Sequence, residues 1–207
     1  SEVLRGVEGS KRVLYLPFDE GSGSVAYDLS GNQNNGTVYG ARWVDGRYGK
    51  ALEFDGTDDY VNCGNKDDFD LAGTDHSFSV WFKVTGGSGT YRHVINRFIG
   101  GTPGAGYTLF VDKVDRVGFD ERADGGNSIS LTYPISYDVW VHVVAVVDVS
   151  AKEAFLYVDG ELVDSDTFTG NLIDRDADLL IGKPSFFHGV IDEVTIFRRA
   201  LSSEEVK

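Results

Sequence analysis

The sequence contains little cysteine, little proline and no methionine. Cys63 is the one cysteine among 207 residues, and there are four prolines. A single cysteine excludes a disulfide within the chain, so cysteine usage gives no sign of an oxidising compartment. No apolar run reaches membrane-spanning length, and we therefore expect no membrane insertion. The chain starts with Ser-Glu-Val-Leu-Arg, without a methionine or an apolar leader, so we expect it to be excised from a larger protein.

Positive charge is also scarce. Nineteen lysines and arginines stand against 33 aspartates and glutamates, for a formal net charge of −14. Such a chain repels phosphate backbones and anionic lipid surfaces, so nucleic acid is not expected as a partner. Many of the acids are aspartates in turn-like segments such as residues 55–59, where short carboxylates suit both turns and hard cations. For any single aspartate, turn formation is the simpler interpretation.

The composition predicts a folded, β-rich chain. Hydrophobic residues make up 41% of the sequence and aromatic residues 13%, which excludes a disordered chain. Twenty-six glycines separate short apolar stretches, which is the pattern of many strands joined by turns. A single domain over residues 1–207 is long enough to bury a sizeable core.

Ten short segments are predicted as β-strands. In residues 78–84 the side chains alternate with a period of two, which indicates a half-buried strand in an antiparallel sheet. Residues 140–147 are apolar almost without a break, which predicts a central strand shielded on both faces. An Asp-Gly pair within residues 158–163 predicts a tight hairpin. The other predicted strands are residues 13–18, 51–54, 60–63, 107–111, 116–119, 154–158, 179–182 and 189–197.

The helical signal is confined to the end of the chain. Residues 200–206 predict one short helix, with Ser202 or Ser203 as its N-cap. Glycine-rich segments at residues 86–92, 99–106 and 122–128 are predicted to be the longest loops. The expected fold class is therefore all-β.

Signals for catalysis are weak. Nucleophilic catalysis needs a serine or cysteine beside a base, yet the four histidines are scattered and the sequence has no Gly-x-Ser-x-Gly motif. Cys63 follows an apolar strand and is interpreted as a small buried hydrophobic residue. We therefore predict that the protein is not an enzyme.

Four stretches of the sequence are informative through their order and spacing. The first is Leu-Pro-Phe-Asp-Glu-Gly-Ser-Gly at residues 16–23, with an Asp/Asn/Gly-rich segment at residues 28–37. Gly-Arg-Tyr-Gly-Lys-Ala-Leu-Glu-Phe-Asp-Gly-Thr-Asp-Asp-Tyr-Val follows at residues 46–61. The others are Phe-Ser-Val-Trp-Phe at residues 78–82 and Gly-Val-Ile-Asp-Glu-Val-Thr-Ile-Phe at residues 189–197. Together they resemble the laminin-G-like jelly-roll domain of the concanavalin-A-like lectin/glucanase superfamily.

The resemblance implies an antiparallel two-sheet jelly-roll β-sandwich in which the first and last strands adjoin. It also implies a module of a secreted or cell-surface protein, and hence an extracellular location. Relatives with glucanase activity carry a Glu-x-Asp-x-Glu strand that aims two carboxylates at a cleft. That motif is absent here, so a glycoside hydrolase is a distant alternative.

The resemblance further implies a structural calcium ion. The matching positions are Asp19, Gly56 and Asp192, which would supply carboxylate and carbonyl oxygens. Calcium takes six to eight oxygen ligands in flexible geometry. Asp192 is a charged residue on an otherwise apolar strand, and a cation would compensate its charge. The alternative is that Asp192 faces solvent or accepts backbone N–H groups.

Aromatic residues near the long loops are the candidate ligand contacts, because sugar rings stack on flat apolar rings. The candidates are Tyr91, His93, Tyr107, Phe186, Phe187 and His188.

Two functions follow as hypotheses. The first is a carbohydrate-binding module that contacts a glycan or glycoprotein. The second is a protein-interaction or structural module in a cell-surface assembly, with other domains of the parent protein as candidate partners.

Overall fold

A computed structural model describes residues 11–87, 89–100, 104–174 and 176–207. Parts of the predicted loops at residues 86–92 and 99–106 lie outside these residues. The described residues form sixteen strands: β1 (Arg12–Leu16), β2 (Val25–Ala26), β3 (Gly36–Tyr39), β4 (Arg42–Asp45), β5 (Lys50–Asp55), β6 (Tyr60–Asn62), β7 (His76–Val84), β8 (Arg92–Ile99), β9 (Ala105–Val111), β10 (Arg116–Glu121), β11 (Ile129–Pro134), β12 (Val141–Asp148), β13 (Glu153–Val158), β14 (Glu161–Thr167), β15 (Leu180–Ile181) and β16 (His188–Phe197).

The strands form two antiparallel sheets that pack face to face. Sheet 1 has the order β14-β13-β12-β7-β16-β5-β4, with β1 also paired to β16. Sheet 2 has the order β11-β10-β9-β8-β15-β6-β3-β2. Pairing of β1 with β16 confirms that the first and last predicted strands adjoin. The all-β, two-sheet jelly-roll prediction is confirmed.

The core lies between the sheets and follows the cross-strand register. Residues directly opposite one another in an antiparallel sheet project from the same face. On sheet 2 one such row is entirely apolar and belongs to the buried core: Val38, Val61, Ile181, Ile95, Leu109, Phe119 and Leu131. Alternate residues must therefore form a second row on the outer face of sheet 2.

The central strand β12 is shielded on both faces, as predicted. Residues 141–147 are all buried, with Val143 and Ala145 in the main core. On the outer face of sheet 1, Val144 packs in a second cluster with Leu201 and Val206. Val206 ends the helix α1 (Ser203–Val206), which Ser202 caps through a capping box, so the predicted terminal helix covers this face. In the described residues no helix has the length and apolar character to cross a membrane.

The predicted Asp-Gly hairpin joins β13 to β14. Asp159 and Gly160 both have positive φ, 50° and 84°, as a type I′ turn requires. Two carboxylates of β14 then reach across to the other sheet. The amide of Ser130 donates to Asp166 Oδ2 at 3.0 Å and that of Thr132 to Asp164 Oδ2 at 2.9 Å. These bonds satisfy N–H groups on the edge strand β11 and join the two sheets there.

Candidate functional site

The loop at residues 46–50 brings together two of the three predicted metal ligands. Asp192 Oδ2 accepts the amide N–H of Tyr48 at 3.0 Å, and Asp19 Oδ1 accepts that of Lys50 at 2.9 Å. Asp192 Oδ1 is buried and has no hydrogen-bond partner among the described residues. Burial raises the pKa of Asp192 to about 7, because the charged carboxylate loses its hydration.

Glycines allow this loop to approach both carboxylates closely. A Cβ at Gly46 would lie 2.7 Å from Asp192 Oδ2 and 2.7 Å from the carbonyl oxygen of Lys50. A Cβ at Gly49 would lie 2.0 Å from Asp19 Oδ1. The loop therefore gathers carboxylate and carbonyl oxygens, which is the donor set that hard cations prefer.

Gly56 does not join these residues. It follows β5, whereas Lys50 begins that strand, so the two ends are separated by about 17 Å. A Cβ at Gly56 would lie 2.9 Å from Cβ of His188. Gly56 belongs instead to a turn in which carboxylate oxygens of Asp55, Asp58 and Asp59 lie within 4.8 Å of one another. This turn borders a groove of about 330 Å³ that His188 also lines.

Two of the six predicted ligand contacts are buried in the core, which corrects the expectation that they are exposed. Tyr107 is 0% exposed, and its hydroxyl donates to the carbonyl oxygen of Phe69 at 3.1 Å. Phe187 is also 0% exposed, with ring centroids 6.2 Å from Phe54 and 5.9 Å from Phe82. Neither side chain reaches a ligand at the surface.

The other predicted contacts occupy two regions. Tyr91 is 44% exposed and its ring centroid lies 5.6 Å from that of Phe110. His93 is directly opposite Phe110 and is half-buried, and burial lowers the pKa of its imidazole. Phe186 is half-buried near Lys183, whose Nζ lies 5.9 Å from the ring centroid. These three residues lie on or near the outer face of sheet 2, whereas His188 lines the separate groove beside Gly56.

The outer face of sheet 2 carries a row of mostly polar residues that sequence reasoning missed. The cross-strand register places seven residues in one continuous line: Thr37, Asn62, Leu180, Asn96, Thr108, Asp120 and Ser130. We call this set the polar row. Each member is next to a core residue of its own strand, so no local stretch of sequence distinguishes it from an ordinary solvent-facing position.

Aromatic residues flank the polar row. Tyr39 and Tyr60 are directly opposite each other and their rings stack with centroids 4.6 Å apart. Lys183 Nζ lies 3.9 Å from the ring centroid of Tyr60. On the same face, the ring of Phe110 packs against Gly118. A Cβ added at Gly118 would lie 2.6 Å from Phe110 Cζ. Phe110 is only 5% exposed, so Tyr39, at 45% exposure, is the ring of this group that lies open beside the hydrogen-bonding residues.

Two members of the polar row have unsatisfied oxygens. Asn96 is only 4% exposed, and its Oδ1 has no hydrogen-bond partner among the described residues. Asp120 Oδ1 is buried and likewise without a partner in the described part of the chain. Burial raises the pKa of Asp120, and its hydrogen bond with Ser130 opposes this shift. Buried polar groups are rarely left unpaired, so these oxygens mark a site where a polar ligand or ordered water fits.

Grooves open at both ends of the polar row. The β3–β6 groove has a volume of about 300 Å³ and is lined by Asn35, Thr37, Tyr39, Asn62, Cys63 and Gly64. The β10–β11 groove has a volume of about 610 Å³ and is lined by Asp120, Arg122, Gly126, Asn127, Ser128, Ile129, Ser130 and Asp166. Cys63 is buried, and burial raises the pKa of its thiol to about 12, which disfavours the reactive thiolate.

Comparison with known families agrees with this architecture. Residues 55–207 match a laminin G family described as belonging to the concanavalin A-like lectin/glucanases superfamily, and the chain belongs to this family. A comparison with curated protein sequences found no match.

Solved structures with the same fold include two toxin domains. The binding domain of Paraclostridial Mosquitocidal Protein 1 has a TM-score of 0.79 and 19% identity, over 95% of this chain and 51% of that one. The ligand binding domain of botulinum neurotoxin serotype D was solved in complex with N-acetylneuraminic acid. It has a TM-score of 0.74 and 19% identity, over 95% of this chain and 49% of that one. The chain thus spans about half the length of these toxin domains.

A third structure has the length of this chain. Domain 4 of AbnA, an extracellular arabinanase of Geobacillus stearothermophilus, was solved in complex with arabinotriose. Its TM-score is 0.67 at 20% identity, over 96% of this chain and 98% of that one. At these identities the three likenesses show a shared fold.

Proposed function

We propose that this protein is a non-catalytic carbohydrate-binding module that binds a glycan on the outer face of sheet 2. The observation that carries this proposal is the polar row, in which Asn96 and Asp120 have buried oxygens without a partner among the described residues. Sugar hydroxyls are donors and acceptors in close succession, and they would satisfy such oxygens. The ring of Tyr39, which is 45% exposed, supplies apolar surface on which a sugar face stacks.

The solved structures support this function and an extracellular location. The botulinum serotype D domain holds N-acetylneuraminic acid, and domain 4 of the arabinanase holds arabinotriose. The arabinanase is an extracellular enzyme, and the mosquitocidal protein and botulinum neurotoxin structures are binding domains. We infer that this chain, too, attaches a secreted or cell-surface protein to a glycan or glycoprotein.

The carboxylates of the β10–β11 groove favour binding over hydrolysis. Glycoside hydrolysis requires two carboxyl groups that are free to exchange protons or attack the sugar. Asp166 accepts the amide N–H groups of Ser130 at 3.0 Å and Thr167 at 2.8 Å through its two oxygens. Asp120 hydrogen-bonds Ser130 and keeps one oxygen, Oδ1, without a partner among the described residues, and one carboxylate does not make a hydrolytic pair.

The test is binding of the purified protein to a glycan array, followed by calorimetry on the best glycan. We expect saturable binding to one glycan class. Asp120→Asn should weaken it about 10-fold, because a charge-assisted hydrogen bond contributes about 1.4 kcal/mol or more. The control Glu204→Gln alters an exposed carboxylate on α1, and we expect unchanged affinity. If the protein binds no neutral or acidic glycan on the array, the proposal is refuted and the protein-interaction alternative is favoured.

We also propose that calcium binds at the loop of residues 46–50, with Asp19 and Asp192 as side-chain ligands. The partnerless Asp192 Oδ1 and the nearby carbonyl oxygen of Lys50 fit a cation of this kind. A bound cation would also favour the ionised form of Asp192, which burial otherwise disfavours. Gly56 is not included in this site, because it lies at the far end of β5.

Thermal unfolding with excess calcium and with chelator tests this site. At a calcium concentration about 100 times the dissociation constant, the folded state gains about 2.7 kcal/mol, so the midpoint should rise. Asp192→Asn should remove most of this rise. Asp58→Asn, in the acidic turn beside Gly56, is the matched control and should retain it. Equal midpoints in calcium and chelator for the wild type would exclude the ion.

A further inference from the structure

Both grooves on the outer face of sheet 2 contain members of the same polar row. Thr37 and Asn62 line the β3–β6 groove, and Asp120 and Ser130 line the β10–β11 groove. The row is continuous between them, because each residue is directly opposite the next in the strand register. The grooves are therefore two ends of one surface.

The distance between the grooves sets the size of a ligand that occupies both. Asn62 on β6 and Asp120 on β10 are four interstrand steps apart. At about 4.8 Å per step, they are separated by about 19 Å. One sugar ring is far smaller than this separation, so a ligand that fills both grooves must be a chain of several sugars.

The residues between the grooves are suited to the middle of such a chain. Asn96 and Thr108 are nearly buried, at 4% and 6% exposure, and Asn96 Oδ1 has no partner among the described residues. Leu180 is half-buried beside them and offers an apolar contact to the face of a sugar ring. The surface between the grooves therefore has one apolar contact, Leu180, beside the hydrogen-bonding groups of Asn96 and Thr108.

The charge of the grooves bears on the class of glycan. All six residues that line the β3–β6 groove are uncharged. The β10–β11 groove has two carboxylates, Asp120 and Asp166, and one guanidinium, Arg122. Together with the net charge of −14, this arrangement disfavours a polymer that carries a carboxylate on each sugar.

We propose that the outer face of sheet 2 binds an internal segment of a linear, uncharged polysaccharide, which crosses the strands from the β3–β6 groove to the β10–β11 groove. This inference rests on the proposed glycan-binding function and specifies its ligand. Affinity arises from contacts in both grooves at once, so it depends on chain length. A chain that reaches only one groove binds through half of the surface.

The experiment measures dissociation constants for linear arabino-, xylo-, manno- and cello-oligosaccharides of two to eight units, with polygalacturonate fragments as the acidic series. In the neutral series that binds, we expect affinity to rise at least 10-fold from the disaccharide to the length that spans about 19 Å, and then to become constant. An acidic series that binds more tightly than every neutral one overturns the inference.

Single variants in each groove distinguish a sugar chain that occupies both grooves from a ligand that occupies only one. Tyr39→Ala removes an exposed ring from the β3–β6 groove, and Asp120→Asn removes a charge from the β10–β11 groove. Each should weaken the longest oligosaccharide about 10-fold, whereas only one of them should affect the disaccharide. Leu162→Ala, at an exposed position on β14, is the control and should leave affinity unchanged.

Two outcomes distinguish failure of this inference from failure of the proposed function. If the disaccharide binds as tightly as the octasaccharide and only Asp120→Asn weakens it, the protein binds glycans but no chain spans the face. If no oligosaccharide binds while circular dichroism shows a folded protein, the inference is wrong, and the glycan array then decides whether the proposed function fails with it.

Discussion

Phe187→Ala is expected to lower the free energy of unfolding by about 3–5 kcal/mol, because truncation of a fully buried ring removes apolar contacts and leaves a cavity. The ring of Phe187 lies edge-on to those of Phe54 and Phe82, which come from strands on either side of β16. Phe187 precedes β16, so its loss affects the centre of sheet 1. Urea denaturation of the two proteins under identical conditions measures the difference.

Phe186→Ala is the matched control for this prediction. The two residues are adjacent, but Phe186 is half-buried near Lys183 and Phe187 is fully buried. We expect Phe186→Ala to have a clearly smaller effect on stability. A larger effect for Phe186 than for Phe187 would contradict the placement of these side chains.

Arg97→Met is expected to destabilise the protein by about 3 kcal/mol, because it removes a fully buried guanidinium and leaves Asp174, whose side chain is 14% exposed, without its partner. Arg97 is about 1% exposed and donates to Asp174 Oδ1 at 3.0 Å, Asn65 Oδ1 at 3.2 Å and the carbonyl oxygen of Ala177 at 3.2 Å. It also forms an ion pair with Asp70. One guanidinium thus ties β8 to the β6–β7 connection and to the β14–β15 connection.

An exposed ion pair provides the control for Arg97. Arg42 pairs with Glu53 at the surface, where its side chain is 77% exposed. Exposed pairs of this kind contribute little to stability, so Arg42→Met should leave the unfolding midpoint nearly unchanged. Arg97→Lys should recover only part of the loss, because an ammonium group cannot reproduce the planar fork of donors. If Arg97→Met were as stable as Arg42→Met, the buried network would not be structural.

The strand β8 illustrates why some elements were not predicted. Its sequence, Arg-His-Val-Ile-Asn-Arg-Phe-Ile, carries two arginines, which suggest a solvent-exposed segment rather than a central strand. In the structure Arg92 and Arg97 are both buried, and aspartates from distant loops neutralise them. Those partners are separated from β8 in sequence, so only the tertiary structure identifies them.

The candidate ligand residues were predicted only in part for a related reason. Composition shows that Phe186 and Phe187 are apolar, but not which of the two points into the core. Successive side chains of an extended segment point in opposite directions, so a one-residue shift exchanges buried and exposed positions. The register around β16 makes this choice, and it places Phe187 inside.

The sequence by itself determined the fold class, because period-two apolar patterns, an Asp-Gly turn and an unbroken apolar strand are local features that each predict β-structure. The family resemblance grouped Asp19 with Asp192 as predicted metal ligands, and both carboxylates accept amide N–H groups of the loop at residues 46–50. The tertiary structure decided the position of Gly56 and the existence of the polar row. Thr37, Asn62, Asn96, Asp120 and Ser130 come from separate strands, and they form one surface only through the order and register of sheet 2. Register depends on packing between distant segments, so no local stretch of the chain encodes such a site.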